Sequence, residues 1–253
     1  MRNDDIHRGV RGGDTLLERM SWREVEAYFT RDTRAVVVLG ATEEHSDLST
    51  CTDTLIPWTV AVEACDLEKA LLIPAIPFGL STWASAYPGT ISLKIETLVC
   101  VLRDVATSLL AQGCRDLIVL NGHGTNRAVS PVLSEVAEHV EATRCWFIQW
   151  WELPPVRQLL DKWRIPITHA GAAEALDCAL CRPTRDAVET TSPFPSLLQS
   201  PPAIRASLPE GHGPGPLQLP KKRRQRLLEA AVRGMADQLQ LVKQLRLQPD
   251  QQG

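Results

Sequence analysis

Residues 35–53 read AVVVLGATEEHSDLSTCTD, and this stretch decides the fold. The aliphatic, largely β-branched run at 35–39 is typical of a strand that is buried on both faces. Directly after it come two glutamates, a histidine and two aspartates, which are side chains that bind metal ions. A buried strand that ends in such a cluster indicates an open α/β sheet, because such sheets carry their chemistry at the carboxyl ends of the strands.

The rest of the chain alternates predicted helices with predicted strands. Further strands are expected at 71–76, 117–120 and 145–149, and helices at 22–29, 54–67, 94–112, 129–140, 172–181 and along a last apolar face that runs from Leu228 to Val242. Ser21 and Glu24 predict a capping box before the first helix. Strands that alternate with helices favour right-handed crossovers, so we expect one three-layer α/β/α domain over residues 1–253 with a mostly parallel sheet.

Residues 182–220 interrupt this pattern because they are rich in Pro, Ser and Gly and show little periodicity. We interpret them as a long irregular excursion, and excursions of this length are usually functional or mobile. The following KKRRQR at 221–226 is interpreted as the solvated first turns of the last helix.

Composition excludes several classes of function. With 44% apolar and 23% charged residues, the chain is an ordinary globular protein, and a net charge of −3 gives no reason to expect nucleic acid as a partner. No apolar run approaches the length of a membrane span, and the polar first 20 residues do not resemble a signal peptide, so we expect a cytoplasmic protein without a membrane partner. The seven cysteines are interpreted mainly as core residues.

Ligand-type side chains follow three of the predicted strands. Glu43 and His45 are two residues apart, so in an extended chain their side chains share a face. The third strand leads into NGHGTN, where glycines flank His123, and THAGAAEAL follows the fourth strand. A mixed carboxylate and imidazole set suits zinc, manganese or iron. Each histidine alone could instead be an ordinary buried or capping residue, but together the residues predict a metal site, and they are Glu43, His45, Asp53, His123, His169 and Glu174.

Five motifs in this chain resemble those of the creatininase (creatinine amidohydrolase) family. They are GATEEH with TDT, YPGTISL, NGHGTN, WWEL and HAGAAEA, and they occur in the family's order between about residues 35 and 181. The resemblance implies two divalent ions per chain, with zinc favoured and manganese or iron as alternatives. It also implies an oligomer, often a hexamer.

The resemblance assigns roles position by position. Asp53 would bridge the two ions, Glu43 and His123 would complete one site, and His45 would belong to the other. The family's glutamate two residues after the histidine of NGH is replaced by Thr125, so we expect Glu174 to substitute for it. His169 matches the histidine that moves protons, a task that suits an imidazole.

The departures from the family pattern lie mostly around the substrate. The second histidine of HGPH is absent, and Thr168, Ala172 and Ala84 stand where the family has functional side chains. Two adjacent tryptophans, Trp150 and Trp151, follow the fourth strand and are predicted to wall a pocket for a flat polar substrate, with hydrophobic packing under the 182–220 excursion as the alternative.

These observations predict a metal-dependent amidohydrolase that cleaves a non-peptide C–N bond, cyclic or formamide-like, in a small-molecule amide through a water held between two ions. One alternative is a peptidase of a precursor-maturation pathway that uses the same site. A non-catalytic structural or regulatory subunit with the same fold is the other alternative, and the replacement at Thr125 motivates it.

Overall fold

The computed structural model describes residues 15–179, 199–213 and 219–247. Its centre is a four-stranded sheet in which all neighbouring strands are parallel, in the order β2-β1-β3-β4. The strands are β1 (Arg34–Leu39), β2 (Leu71–Leu72), β3 (Asp116–Asn121) and β4 (Arg144–Gln149). The predicted parallel α/β sheet is thereby confirmed.

Helices cover both faces of this sheet. Residues of β1 alternate: Val36 and Val38 join one apolar cluster, while Ala35, Val37 and Leu39 join the other. The first cluster is completed by α2 (Thr52–Glu68), α5 (Pro154–Trp163) and α7 (Lys221–Leu247), and the second by α1 (Trp22–Phe29), α3 (Ile95–Ala111) and α4 (Pro131–Glu138). Because both faces are buried, the strand has to be apolar at every position, which is why 35–39 has no polar alternation.

Local sequence signals set several helix ends as expected. The Glu24 carboxylate accepts hydrogen bonds from the Ser21 backbone N–H and hydroxyl, both at 2.6 Å, so the predicted capping box begins α1. Gly113 follows α3 with a φ of +113°, a left-handed conformation that glycine adopts without strain.

Two predictions of secondary structure are wrong. The strand predicted at 71–76 pairs as a regular strand only at Leu71–Leu72, since Pro74 has no N–H to donate. Ile73 and Ile76 still donate backbone hydrogen bonds to β1. Residues 172–179 of the helix predicted at 172–181 form turns, and 180–181 lie outside the described residues.

Two helices were not predicted, and one of them lies in the excursion. They are α5, which begins with the paired prolines of WWELPP, and α6 (Pro201–Ser207). Of the excursion at 182–220, residues 182–198 and 214–218 lie outside the described part of the chain, so its role as a whole stays a prediction. None of the helices in the described ranges combines the length and apolar character that crossing a bilayer requires.

Ion pairs stabilise the end of the sheet at which the strands begin. Asp116, fully buried at the start of β3, accepts hydrogen bonds at 2.8 Å from Arg144 Nε on β4 and from Arg246 Nε on α7. The Arg34 guanidinium at the start of β1 pairs with Asp32 and donates to the Leu239 carbonyl of α7. These contacts anchor α7 at the amino ends of the strands, whereas the ligand-type side chains lie at the carboxyl ends.

Candidate metal centre

The loop after β1 brings three ligand-type side chains together. The Glu43 backbone N–H donates to the Thr50 carbonyl at 2.8 Å, which closes the loop and returns the chain to the start of α2. Asp53 lies in the first turn of that helix and is 3% exposed. His45 Nε2 is 3.1 Å from Asp53 Oδ1. The short loop therefore places Glu43, His45 and Asp53 around one point.

The exit of β3 adds His123 to this group. A β-carbon on Gly122 would overlap the Asp53 carbonyl oxygen and lie 2.7 Å from Pro57 Cγ, so only glycine lets β3 end this close to α2. The result is a distance of 2.8 Å from His123 Nδ1 to Asp53 Oδ2 and of 3.2 Å to Glu43 Oε1.

The turns at 168–176 contribute Glu174 and His169. Ala170 has a φ of +51°, and Glu174 donates its backbone N–H to the Gly171 carbonyl at 3.0 Å. Glu174 Oε2 lies 3.8 Å from His45 Nε2, and His169 Nδ1 lies 3.4 Å from Glu43 Oε1. A continuous helix here would carry these side chains along its axis, whereas the turns direct both to the same point.

Two sets of potential ligands share Asp53. Glu43, Asp53 and His123 form one set and His45, Asp53 and Glu174 form the other, with the ligand atoms of each set within 4.8 Å of one another. His169, with Glu43 and His45, belongs to a third and overlapping set. The structure therefore brings together all five residues that the sequence assigned to metal binding, together with His169.

The buried atoms of these residues are suited to a cation. Within the described residues, no group forms a hydrogen bond with five of these atoms, which are Glu43 Oε1 and Oε2, His45 Nε2, Asp53 Oδ2 and Glu174 Oε2. Some of them are close to a neighbour, as the distances above show, but without the alignment of a hydrogen bond. Leaving buried polar atoms unpaired is costly, so a group that satisfies several at once is expected here.

The histidines are oriented as metal ligands usually are. Backbone carbonyls accept the N–H of one ring nitrogen in each: Glu43 for His45 Nδ1 (3.3 Å) and Leu80 for His123 Nε2 (3.0 Å). A carbonyl cannot donate, so the proton must sit on those nitrogens, and the lone pair of the other nitrogen faces the cluster. The residues present therefore fit a pair of divalent ions.

Without a cation, the cluster balances its carboxylates by protonating histidines. Burial alone would lower the pKa of His45, but the negative charge of Asp53, whose Oδ1 lies 3.1 Å from Nε2, and then the charges of Glu174 and Glu43 outweigh it and raise that pKa to about 10. In the same way Glu43 and Asp53 overcome burial and raise the pKa of His123 well above its usual value. Burial raises the pKa of Glu174, helped by the charge of Asp53.

A cavity of about 180 Å³ opens beside this cluster, and only one of the two adjacent tryptophans lines it. Trp151 lines it together with Trp83, Ile167 and Thr125. Trp150, by contrast, is 1% exposed and lies in the apolar cluster that α7 completes. Of the described aromatic residues, only Trp83 and Trp151 are therefore placed to touch a substrate in this cavity.

Sequence reasoning missed two members of the site. His212 stacks on His169 with ring centroids 5.2 Å apart and an interplanar angle of 12°. Glu44 is 7% exposed, and its backbone carbonyl accepts the His169 Nε2–H at 2.7 Å. The signal for His212 was the tripeptide Gly-His-Gly at 211–213, which repeats the pattern around His123.

The parallel sheet, the two helical layers and the buried carboxylate–imidazole cluster define the class of protein: an α/β protein with a candidate two-ion centre at the carboxyl ends of its strands. Residues 18–238 match the sequence profile described as creatininase, creatinine amidohydrolase. The chain belongs to the creatininase family.

Individual relatives agree with this assignment. A creatinine amidohydrolase of Pseudomonas putida is 28% identical over 118 residues, which are 44% of this chain and 45% of that protein. A mycofactocin precursor peptide peptidase of Mycobacterium tuberculosis is 38% identical over 102 residues, 36% of this chain and 40% of that protein. The chain thus matches less than half the length of these curated relatives.

Solved structures share the fold. A structure named creatininase Mn superposes with a TM-score of 0.72 at 23% identity, covering 90% of this chain and 98% of that one. A creatinine amidohydrolase crystal structure gives a TM-score of 0.71 at 22% identity, covering 90% of this chain and 97% of that one. Likeness at this level of identity shows that the α/β/α architecture is common to these proteins.

Proposed function

We propose that this protein is a metal-dependent amidohydrolase that cleaves a non-peptide C–N bond, cyclic or formamide-like, in a small-molecule amide. The observation that carries the proposal is the pair of ligand sets that share Asp53, with buried oxygen and nitrogen atoms that lack hydrogen bonds. Membership of the creatininase family supports hydrolysis of an amide as the reaction class.

Two divalent ions fit the two ligand sets. Glu43 and His123 would hold one ion, His45 and Glu174 the other, and Asp53 both, since its two oxygens face different histidines. Zinc is favoured by the mixed imidazole and carboxylate donors, with manganese or iron as alternatives, and related creatininases are named as Mn and Zn-Zn forms. Such ions supply Lewis-acid polarisation of a carbonyl and a water of lowered pKa.

The remaining residues act on protons and on substrate position. His169 donates from Nε2 to the Glu44 carbonyl, so its Nδ1 has the free lone pair, at the cavity side and 3.4 Å from Glu43 Oε1. From there Nδ1 takes up a proton and delivers it to the departing nitrogen. Trp151 and Trp83 exclude water and give flat walls to the cavity, whose volume suits a small substrate.

Metal counting on protein purified without chelators tests the proposal. We expect two ions per chain in the parent protein and a loss of both in Asp53→Ala, because that side chain serves each set. Asp161→Ala, which removes an exposed aspartate on α5, is the matched control and should retain both ions. Full metal content in Asp53→Ala would remove Asp53 from its bridging role, and a parent protein without metal would favour the non-catalytic alternative.

A peptidase is the second candidate function. The mycobacterial relative is named as a precursor peptide peptidase, and a groove of about 360 Å³ adjoins the cavity here. Trp83 and Thr125 line both spaces, and Leu80, Lys94 and Ile95 continue the groove. A panel of creatinine and other lactams, formamides and short peptides separates the two: turnover of peptides alone would replace the small-molecule proposal.

We also propose a homo-oligomer, as the resemblance to the family implies. Light scattering on the eluted protein tests this, and a mass equal to that of one 28.0 kDa chain would contradict it.

A further inference from the structure

The segment Gly211-His212-Gly213 is folded tightly against the centre. Both glycines have left-handed φ values, +102° and +133°. A β-carbon on Gly211 would overlap the Glu44 carboxylate, and one on Gly213 would lie 2.6 Å from the His169 carbonyl oxygen. The backbone of this loop therefore touches Glu44 on one side and His169 on the other, and His212 lies between them.

Two other imidazoles lie against the ring of His169. His212 stacks on it at 5.2 Å, nearly parallel, and His45 approaches at 4.2 Å with an interplanar angle of 46°. The Trp83 indole meets both His169 and His212 edge-on, at 5.2 and 5.4 Å. Rotation of His169 about its side-chain bonds would have to displace one of these rings.

Glu44 connects His169 with the loop that carries His212. Its carboxylate accepts the His212 backbone N–H at 3.1 Å and the Ser46 N–H, while its carbonyl accepts the His169 Nε2–H. The His212 loop is thus attached to the residue that fixes the tautomer of His169.

We propose that His212 is a positioning residue: by stacking on His169 it holds that ring with Nε2 on the Glu44 carbonyl and Nδ1 toward the cavity. This inference rests on the proton-transfer role of His169 in the proposed function. His212 does not line the cavity, so it acts through His169 and has no direct contact with a substrate there.

The loop has an anchor that does not involve the His212 ring. Ile204 and Leu208, in and after α6, pack on Trp83 and Tyr87, and the Tyr87 hydroxyl donates to the Leu208 carbonyl at 2.8 Å. Arg205 lies over the Tyr87 ring at 4.7 Å. Substitution of the ring of His212 should therefore leave α6 docked, which separates positioning of His169 from loss of the segment.

Imidazole nitrogen NMR on the zinc-loaded, ¹⁵N-histidine-labelled full chain tests the proposal without any substrate. The variants are His212→Ala, which deletes the ring, and His212→Phe, which keeps a flat ring. His139→Ala removes an exposed histidine and is the matched control. His169→Gln assigns the signals of interest, and metal content is measured for every variant.

In the parent protein and the control, His169 should give one protonated-type and one unprotonated-type nitrogen signal. In His212→Ala the two signals should move toward each other as the native orientation loses roughly two- to ten-fold in population, the range expected for one aromatic pair. His212→Phe should retain the parent signals, and all variants should keep their zinc.

Three results would overturn the proposal. They are unchanged His169 signals in His212→Ala, equal disturbance in His212→Phe and His212→Ala, and loss of zinc in His212→Ala. If His212→Ala does not fold, the His169 signals of His212→Phe decide instead. Parent-like signals in that variant would support the proposal, and disturbed signals would contradict it. Failure of the proposed function would show differently, as absent turnover across the amide panel with these spectra intact.

Discussion

Metal binding to this centre should depend steeply on pH, because protons and cations compete for the same lone pairs. In the metal-free protein, His45 sits among buried carboxylates that raise its pKa to about 10. At neutral pH its Nε2 therefore carries a proton, and an ion can bind there only after that proton leaves. Raising the pH removes the competitor, so affinity should increase.

The size of the effect follows from the pKa. At about pH 7, removing a proton from a group with a pKa of about 10 costs three decades, or about 4 kcal/mol, in apparent affinity. Between about pH 7 and pH 9 the affinity should thus rise roughly tenfold per pH unit for each proton displaced. His123, whose pKa is also raised, adds a second displaced proton at the set that contains Glu43.

Competition for zinc with a chromophoric chelator, calibrated at each pH, measures this slope. His45→Gln should reduce the slope by one proton, and His139→Gln, an exposed histidine away from the cluster, should leave it unchanged. An affinity that is independent of pH, or that falls as pH rises, would refute the reasoning, since it would mean that the histidines are neutral before metal arrives.

Three further outcomes follow from the structure. The metal-stripped protein should melt at a lower temperature as pH rises from about 7 to about 10. Protonation of His45 stabilises the fold fully below its usual pKa of 6.5, and this stabilisation is lost as pH rises through the raised pKa of about 10. Zinc-loaded protein should show a smaller change of melting temperature in a calorimetric scan. Gly122→Ala should lower the free energy of unfolding by roughly 1–3 kcal/mol and reduce zinc content, since its β-carbon would push Asp53 away; parent-like values in urea titration and metal analysis would contradict this. Trp150→Ala should lower the free energy of unfolding by roughly 3–5 kcal/mol in urea titration, because this side chain is buried. Trp151→Ala should lower it much less and mainly raise KM for a hydrolysed compound, because Trp151 lines the cavity. Equal losses of stability in the two variants would contradict the assignment of Trp150 to the core and Trp151 to the cavity.

Much of the sheet could be predicted from sequence because buried parallel strands have a local signature. The runs that form β1, β3 and β4 are apolar at several consecutive positions, as expected for strands of a covered parallel sheet. The short β2 shows the limit of that signature, since one residue without an N–H, Pro74, ends the pairing of an otherwise apolar run.

The site itself was partly predictable for a related reason. Glu43, His45 and Asp53 lie close in sequence, and a loop between strand and helix has few ways to arrange them. The turns at 172–179 were not predictable from periodicity, because the alanines there favour a helix while tertiary contacts impose turns. His212 was missed because its Gly-His-Gly tripeptide lies in a stretch rich in Gly and Pro, where flanking glycines are common, and only the folded chain brings it to His169.

The anchoring of α7 has a consequence for synthesis of the protein. This helix is the last of the described elements to leave the ribosome, yet it covers the apolar face of α2 and supplies Arg246 to the buried Asp116. Until it emerges, a nascent chain exposes the apolar surface that α7 covers, and Asp116 at the start of β3 has Arg144 but lacks its second arginine partner. Translation that stalls before codon 221 would therefore leave an aggregation-prone intermediate, the kind of species that chaperones bind.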